Sequence, residues 1–379
     1  MPQDPTADQR FFQSTTRDFL ADTMPVSTVR ALGEAGTGFD RQWWRRGAEL
    51  GWTAMLAPEN LGGGTISGRP MTELALIATE LGRACAPGPF VTTNAVLAGL
   101  ASAAGTHSRV VTAVLAGAEV ATWAIYEPGR GFPPLTIDAP GTRAVPDGSG
   151  YRLAGVKDRV ESADQADLFL VTARGPEGPV QVLVHADAPG VTVTPGWTLD
   201  LVRRTARVSF DDVAVDADAV VHTGDDAAAA VRAQALTAAT LTAAEMVGAT
   251  ERALEATLGW LSDRYTFGRP LASYQALKHR MADNKTWLEA CRATSAAAAA
   301  AWDDGAAAAE EAVSIAKSYV GAQSPAIAQD CVQLHGGIGV TWEHDLHLYL
   351  RRITLGRALY GTPEEHRRHI TDLLDTAAA

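Results

Sequence analysis

Arg264-Tyr265-Thr266-Phe267-Gly268, running on to Gln275, and Gln333-Leu334-His335-Gly336-Gly337-Ile338-Gly339 interrupt long, alanine-rich, helix-forming sequence. The run before the first, Ala227 to Asp263, reads as one long helix. Pro270 closes it, because proline has no N–H to donate and restricts Arg269 before it. A second helix is predicted from about Ser273 to Trp302, where Asp303-Asp304-Gly305 turns the chain, and a third from Ala306 to about Gln333. Within the second, Ala296 to Ala301 is a close-packing face rather than low complexity. Long helices with short connections make a bundle. The two interruptions are polar and glycine-bearing, and they read as the two walls of a dinucleotide site. Arg and Gln can grip pyrophosphate and an adenosine edge, and an aromatic ring can cover adenine. Paired glycines let backbone come close to phosphate, since no Cβ stands in the way. Gly336-Gly337 would also serve as a helix C-cap, and the two roles are compatible.

Working outward, Gln9 to Glu119 is helical in pattern. Asp40 to Leu50 carries Trp43, Trp44, Ala48 and Leu50, and Met71 to Leu81 puts Leu74, Ile77, Ala78 and Leu81 on one face. Between them, Pro58 to Gly64 with its three consecutive glycines must be a loop. No following Lys-Ser/Thr or preceding strand supports a phosphate cradle there. At Val120 the texture changes to short β-rich runs separated by turn dipeptides: Ala121 to Tyr126, Gly141 to Val145, Tyr151 to Val156, Leu168 to Ala173, Val180 to His185, Val191 to Thr194 and Ala206 to Phe210. That spacing predicts a small β-barrel or sandwich ending near Val221. The expected division is an all-α domain over 1–119, a β-domain over 120–222 and a helical bundle over 223–379, an α+β fold.

The chain has 379 residues, 46% of them hydrophobic, and a net charge of −12. That acidity argues against nucleic-acid binding and against attachment to anionic membranes. The N-terminus lacks a basic patch followed by an apolar run, and no stretch reaches the roughly 20 apolar residues that cross a bilayer. A cytoplasmic protein is expected. Cys85, Cys291 and Cys331 form no CxxC pair, and buried free thiols are the expectation. His344 with His347, and His366 with His369, have i, i+3 spacing but no third ligand nearby, so they read as solvated or capping and no metal is expected.

Helices, then a β-domain, then a bundle with those two interruptions resembles the acyl-CoA dehydrogenase family, from roughly Trp43 to Ile370. Trp44-Arg45-Arg46, Leu50-Gly51-Trp52, Ala57-Pro58-Glu59, Glu80-Leu81-Gly82-Arg83, Glu127-Pro128-Gly129 and Gln333 to Trp342 carry the resemblance by their order and spacing. It implies an oxidoreductase that desaturates an acyl-CoA thioester with FAD and passes electrons to an electron-transfer flavoprotein. It also implies flavin sites shared between neighbouring subunits of a tetramer, one holding the isoalloxazine ring and the other supplying the ADP half. Carried over, Arg264, Thr266, Phe267, Gln275, Gln333, Gly336 and Gly337 match that ADP half.

The isoalloxazine half departs from the pattern. The family's Thr before Glu-Pro-Gly is Tyr126, followed by Arg130-Gly131-Phe132-Pro133. Its Lys-x-Trp-Ile-Thr/Ser reads Lys157-Asp158-Arg159-Val160-Glu161, so a guanidinium stands for the shielding indole and a carboxylate for the hydroxyl near N5. The resemblance requires a carboxylate base across the substrate from the ring. Its two usual positions carry Tyr360 and Ala238, and Glu245, Glu364 and Glu365 fit the role poorly, so the catalytic residue is unknown. Tyr126 and Arg159 read most simply as packing or solvating the β-domain surface. Within the family, actinobacterial heteromeric enzymes pair a non-catalytic subunit with one that bears the Glu, several acting on steroid side-chain thioesters. A paralogous partner in a heterotetramer is therefore expected. The alternatives are a self-sufficient homo-oligomeric flavoenzyme with an unconventional base, and a flavin-free acyl-CoA-binding scaffold.

Overall fold

The computed structural model describes residues 4–131, 141–305 and 309–378. Six helices come first: α1 Ala7–Thr23, α2 Val26–Ala35, α3 Arg41–Glu49, α4 Pro70–Arg83, α5 Phe90–Leu100 and α6 Ser108–Leu115. Thr6 opens α1 with a reciprocal capping box to Gln9, and Asp40 caps α3 by accepting from the Trp43 N–H. The apolar face of α3 meets Trp52, giving an aromatic core of Phe19, Trp43, Trp44 and Trp52. The glycines at 62, 63 and 64 donate their N–H groups to the carbonyls of Glu59, Pro58 and Ala54, so their amides serve the turn itself.

Eight strands follow: β1 Ala121–Ala124, β2 Arg143–Asp147, β3 Gly150–Glu161, β4 Leu168–Gly175, β5 Gly178–His185, β6 Val191–Pro195, β7 Thr205–Val215 and β8 Val220–Thr223. Among the described residues they form one open sheet in the order β6-β7-β3-β2-β4-β5-β8, with β1 pairing parallel to β4. This corrects the expected barrel, although the two halves of the sheet share one core, to which β3, β4, β5 and β7 all contribute. The last strand pairs with β5 at one edge and leads directly into the next helix, while β6 lies at the other edge, so the sheet does not close. β3 also runs on past Val156 through a bulge between Lys157 and Val160, which carries it to Glu161.

The remaining chain is helical: α7 Gly224–Asp263, a hairpin of β9 Tyr265–Thr266 and β10 Arg269–Pro270, then α8 Gln275–Asp303, α9 Ala309–His335, α10 Leu346–Ala358 and α11 Pro363–Ala378. The expected start of α9 at Ala306 lies outside the described residues. Asp303, at the end of α8, caps α4 by accepting from the Met71 and Thr72 N–H groups, at 2.7 and 2.9 Å. That bond and the crossing of α4 over α7 join the first helices to the bundle.

The α4–α7 crossing depends on two glycines. A Cβ at Gly82 would lie 2.0 Å from the Glu245 carbonyl oxygen, and one at Gly248 would lie 1.9 Å from that of Thr79. The two helix backbones touch, and Glu245 is held where its side chain can reach the interior. Gly248→Ala should overpack this contact and cost about 1–3 kcal/mol in denaturant unfolding. Gly259→Ala on the same helix, with nothing within 4 Å of its Cβ, should instead add about 0.5–1 kcal/mol. Equal effects of the two substitutions would contradict the close crossing.

Candidate functional site

The chain path gathers the seven residues matched to the ADP half at one end of the bundle. Arg264 ends α7, Gln275 opens α8, and Gln333 sits in the last turn of α9 before Gly336. The Arg280 guanidinium pairs with Asp330, and Asn284 Nδ2 donates to the same carboxylate at 2.7 Å, so the start of α8 is tied to the end of α9. The Tyr274 hydroxyl donates to the Thr266 carbonyl at 3.0 Å, which fixes the hairpin beside Gln275. Thr266 is half-buried and the other six are exposed. Phe267 is 95% exposed although its backbone is left-handed, at φ 49°. A non-glycine residue there is uncommon, and an aromatic side chain gains no burial within this chain to offset it. Gly336, at φ 65°, caps α9 as the sequence allowed. Gly337 has no such φ and nothing within 4 Å of its would-be Cβ, so this chain's own packing does not require a glycine there. An open, Cβ-free approach flanked by Arg264 and Gln333 fits a pyrophosphate.

The positions matched to the isoalloxazine half and the base are, by contrast, packed together. Tyr126, Glu161 and Tyr360 are all buried. Tyr360 Oη donates to Glu161 Oε1 at 2.6 Å, and the Tyr360 N–H donates to Tyr126 Oη at 2.7 Å. The Tyr360 ring lies parallel to Trp123, with centroids 6.4 Å apart and planes 6° apart. Arg203 Nε donates to Glu161 Oε2 at 2.7 Å, and its other end pairs with Glu245. Arg352 Nη1 donates to Glu245 Oε1 at 2.8 Å and its Nε pairs with Asp200. Arginine is suited to this, being fixed in charge and able to bridge two carboxylates with a planar fork. Removing either partner of such a buried pair strands a charge and costs about 3–5 kcal/mol.

Two sequence readings change here. Tyr126 does not lie on the β-sheet surface but is buried. Arg159, turned by the bulge in β3 and at φ 52°, lies 5.3 Å over its ring and donates to the carbonyls of Glu127 and Arg130 at 3.0 and 2.9 Å. Phe132 and Pro133 lie outside the described residues. Tyr360 is held as a protonated hydroxyl that donates to Glu161, its pKa raised by burial and then by the Glu161 carboxylate, so it is not available to take up a proton. Ala238 is fully buried on α7 and Glu245 is engaged by two guanidinium groups. Glu365 accepts from the Thr362 N–H at 2.7 Å and caps α11, which accounts for it as a helix-start residue. Asp200, Arg203 and Arg352 escaped the sequence reading. Their partners are remote in the chain, and the one local signal was an arginine at 352 on the apolar face that Leu348, Tyr349 and Ile353 define. Among the described residues no three His, Cys, Asp or Glu side chains gather as a metal site, and no helix is long and apolar enough to cross a membrane.

Comparison with known proteins bears on both ends of the molecule. The family model for the acyl-CoA dehydrogenase N-terminal domain matches residues 6–116, and that for the acyl-CoA dehydrogenase C-terminal domain matches residues 227–374. The chain is 31% identical to acyl-CoA dehydrogenase IpdE2 of Mycolicibacterium smegmatis, over 94% of this chain and 98% of that protein. It is also 31% identical to acyl-CoA dehydrogenase FadE27 of Mycobacterium tuberculosis, over 92% of each. Among solved structures it is similar to a variant of the Tcur3481-Tcur3483 steroid ACAD, at 30% identity, 98% coverage of both chains and a TM-score of 0.86. It is similar too to the ChsE4-ChsE5 complex of Mycobacterium tuberculosis, at 25% identity, 98% coverage of both and a TM-score of 0.83.

The turn that presents Tyr360 is set by its neighbours. Lys317, fully buried on α9, donates to the carbonyls of Gly356 at 2.9 Å and Gly361 at 2.8 Å. Burial pushes its pKa down to about 7. His366 Nε2 bonds the Tyr360 carbonyl at 2.9 Å and Nδ1 bonds Ser314 Oγ at 3.1 Å. This corrects its reading as a solvated or capping histidine. It is a buried neutral ring, its pKa pushed down to about 3 by burial and then by the Lys317 cation. A base whose folded pKa lies below its unfolded value contributes full stability above about pH 6.5 and loses it as pH falls from there towards 3. His366→Gln removes this titration, so stability of the variant should fall less steeply between pH 6 and 4, by about 1.4 kcal/mol per pH unit. Parallel pH profiles of unfolding free energy would contradict the buried neutral ring.

Proposed function

The chain belongs to the acyl-CoA dehydrogenase family, and we propose that it acts there as the subunit that lends the ADP half of a shared FAD site to a paralogous partner carrying the catalytic Glu. In such an assembly the flavin accepts the hydride that leaves the acyl-CoA β-carbon. This chain's part is to bind and orient the dinucleotide end. Arg264 and Gln333 grip the pyrophosphate and adenosine edge, Gly336 and Gly337 give backbone access, and Phe267, Thr266 and Gln275 line the approach. The substrate is an acyl-CoA thioester of the fatty-acid or steroid side-chain kind, with an electron-transfer flavoprotein as acceptor and the cytoplasm as the place of action. The division into units over 1–119, 120–222 and 223–379 belongs to the same proposal.

One observation carries the reading: the 2.6 Å hydrogen bond from Tyr360 to Glu161. The resemblance puts the 360 position at the base and the 161 position near the flavin ring, so a ring and substrate bound here would have to keep the two apart. Here they touch, and Arg203 fills in behind. The groups present do not fit an isoalloxazine ring in this chain, whereas the exposed end fits the ADP half. A homo-oligomer needs both halves on every chain, because symmetry repeats the same surfaces at each interface. The two-chain names of similar structures, Tcur3481-Tcur3483 and ChsE4-ChsE5, agree with a mixed assembly.

The purified chain alone should be colourless and should turn yellow on co-expression with a Glu-bearing paralogue. Arg264→Ala should then weaken flavin retention by about tenfold or more, the loss expected for a charge-assisted hydrogen bond in a dry site. A chain that is yellow by itself and bleaches on adding an acyl-CoA would overturn the proposal.

A further inference from the structure

Two ring nitrogens at the exposed end of the bundle, Trp260 Nε1 and His335 Nε2, are buried without a hydrogen-bond partner among the described residues. His335 Nδ1 bonds the Cys331 carbonyl at 2.8 Å, which places the proton on Nδ1 and leaves Nε2 a bare lone pair. Trp260 Nε1 carries a hydrogen, yet the two do not pair. Their rings stack instead, with centroids 5.4 Å apart and planes 19° apart. His344 closes the group edge-on, 4.5 Å from the His335 ring and 6.3 Å from Trp260. Its own Nδ1 accepts from the Leu346 N–H at 3.1 Å. Unpaired buried nitrogens carry a desolvation cost that hydrogen bonds would have removed. What the stack secures in return is a fixed relation between two elements.

Those elements are the walls of the ADP half. Trp260 lies one helical turn before Arg264, whose Cζ stands 5.8 Å over the indole, and His335 directly precedes Gly336-Gly337. We propose that Trp260 and His335 are positioning residues that set the spacing between the Arg264 wall and the Gly336-Gly337 wall for the diphosphate of a dinucleotide. This inference rests on the reading of that end as a flavin ADP half. A diphosphate must be gripped from both sides at once, so its affinity depends on how firmly both walls are held. The indole does this in two ways, holding the guanidinium by cation–π attraction and the imidazole by ring stacking.

The test uses the full chain co-expressed with its Glu-bearing paralogue, stripped of flavin and titrated with FAD. Trp260→Leu and His335→Leu, on the two sides of the stack, should each weaken FAD by about three- to tenfold, the range of a lost cation–π or stacking contact. Trp260→Phe should restore most of the affinity, since it keeps a ring for both contacts, and the melting temperature of the flavin-free complex should not follow this order. If Arg264→Ala weakens FAD while both leucine variants bind as the unaltered chain does, the positioning role is wrong and the ADP site stands. Unaltered binding by Arg264→Ala sinks the ADP site itself, and with it this inference.

Discussion

The hydroxyl of Tyr360 reaches Glu161 across 2.6 Å, and that contact joins the end of the helical bundle to the sheet. Around it, Arg203, Glu245, Arg352 and Asp200 continue an unbroken line of paired charges from β3 through the segment between β6 and β7 to α7 and α10. Three carboxylates face two guanidinium groups, and the Tyr360 hydroxyl donates to one of those carboxylates. Such a network is weak as a source of stability relative to an apolar core, but each member is costly to remove singly. Its effect is to fix one arrangement of bundle and sheet.

At the other end of the bundle the balance is reversed. The Tyr265–Pro270 hairpin presents Phe267 to solvent in a left-handed conformation, and the α9 terminus leaves Gly337 open. Strain and exposure of this sort persist where a ligand or partner recovers the cost. One end of the molecule is closely packed while the other is exposed, and the proposed division of labour between two chains rests on that asymmetry.

Much of this was legible in the sequence because its signals are local. A proline after a helix-long alanine-rich run marked the end of α7, and paired glycines after Gln333 marked that of α9. The change from helical to alternating texture at Val120 located the sheet. Altered side chains at 126, 159, 161 and 360 could be seen one at a time. That Tyr360 bonds Glu161, 199 residues away, could not. Nor could the bridging of Glu161 and Glu245 by Arg203, since neither lies near it in the chain. The open sheet was missed for a related reason. Strand spacing reports turns, whereas closure depends on which edges pair. His366 was misread because its spacing to His369 is helical periodicity, while its burial is set by Ser314 on another helix.

The most direct measurement is the flavin content of the purified two-chain complex, determined from absorbance against the concentration of each chain. One FAD per pair of chains is the result that the proposed division of the site predicts. Two FAD per pair, or one FAD on this chain purified alone, would contradict a chamber closed by Tyr360 and Glu161.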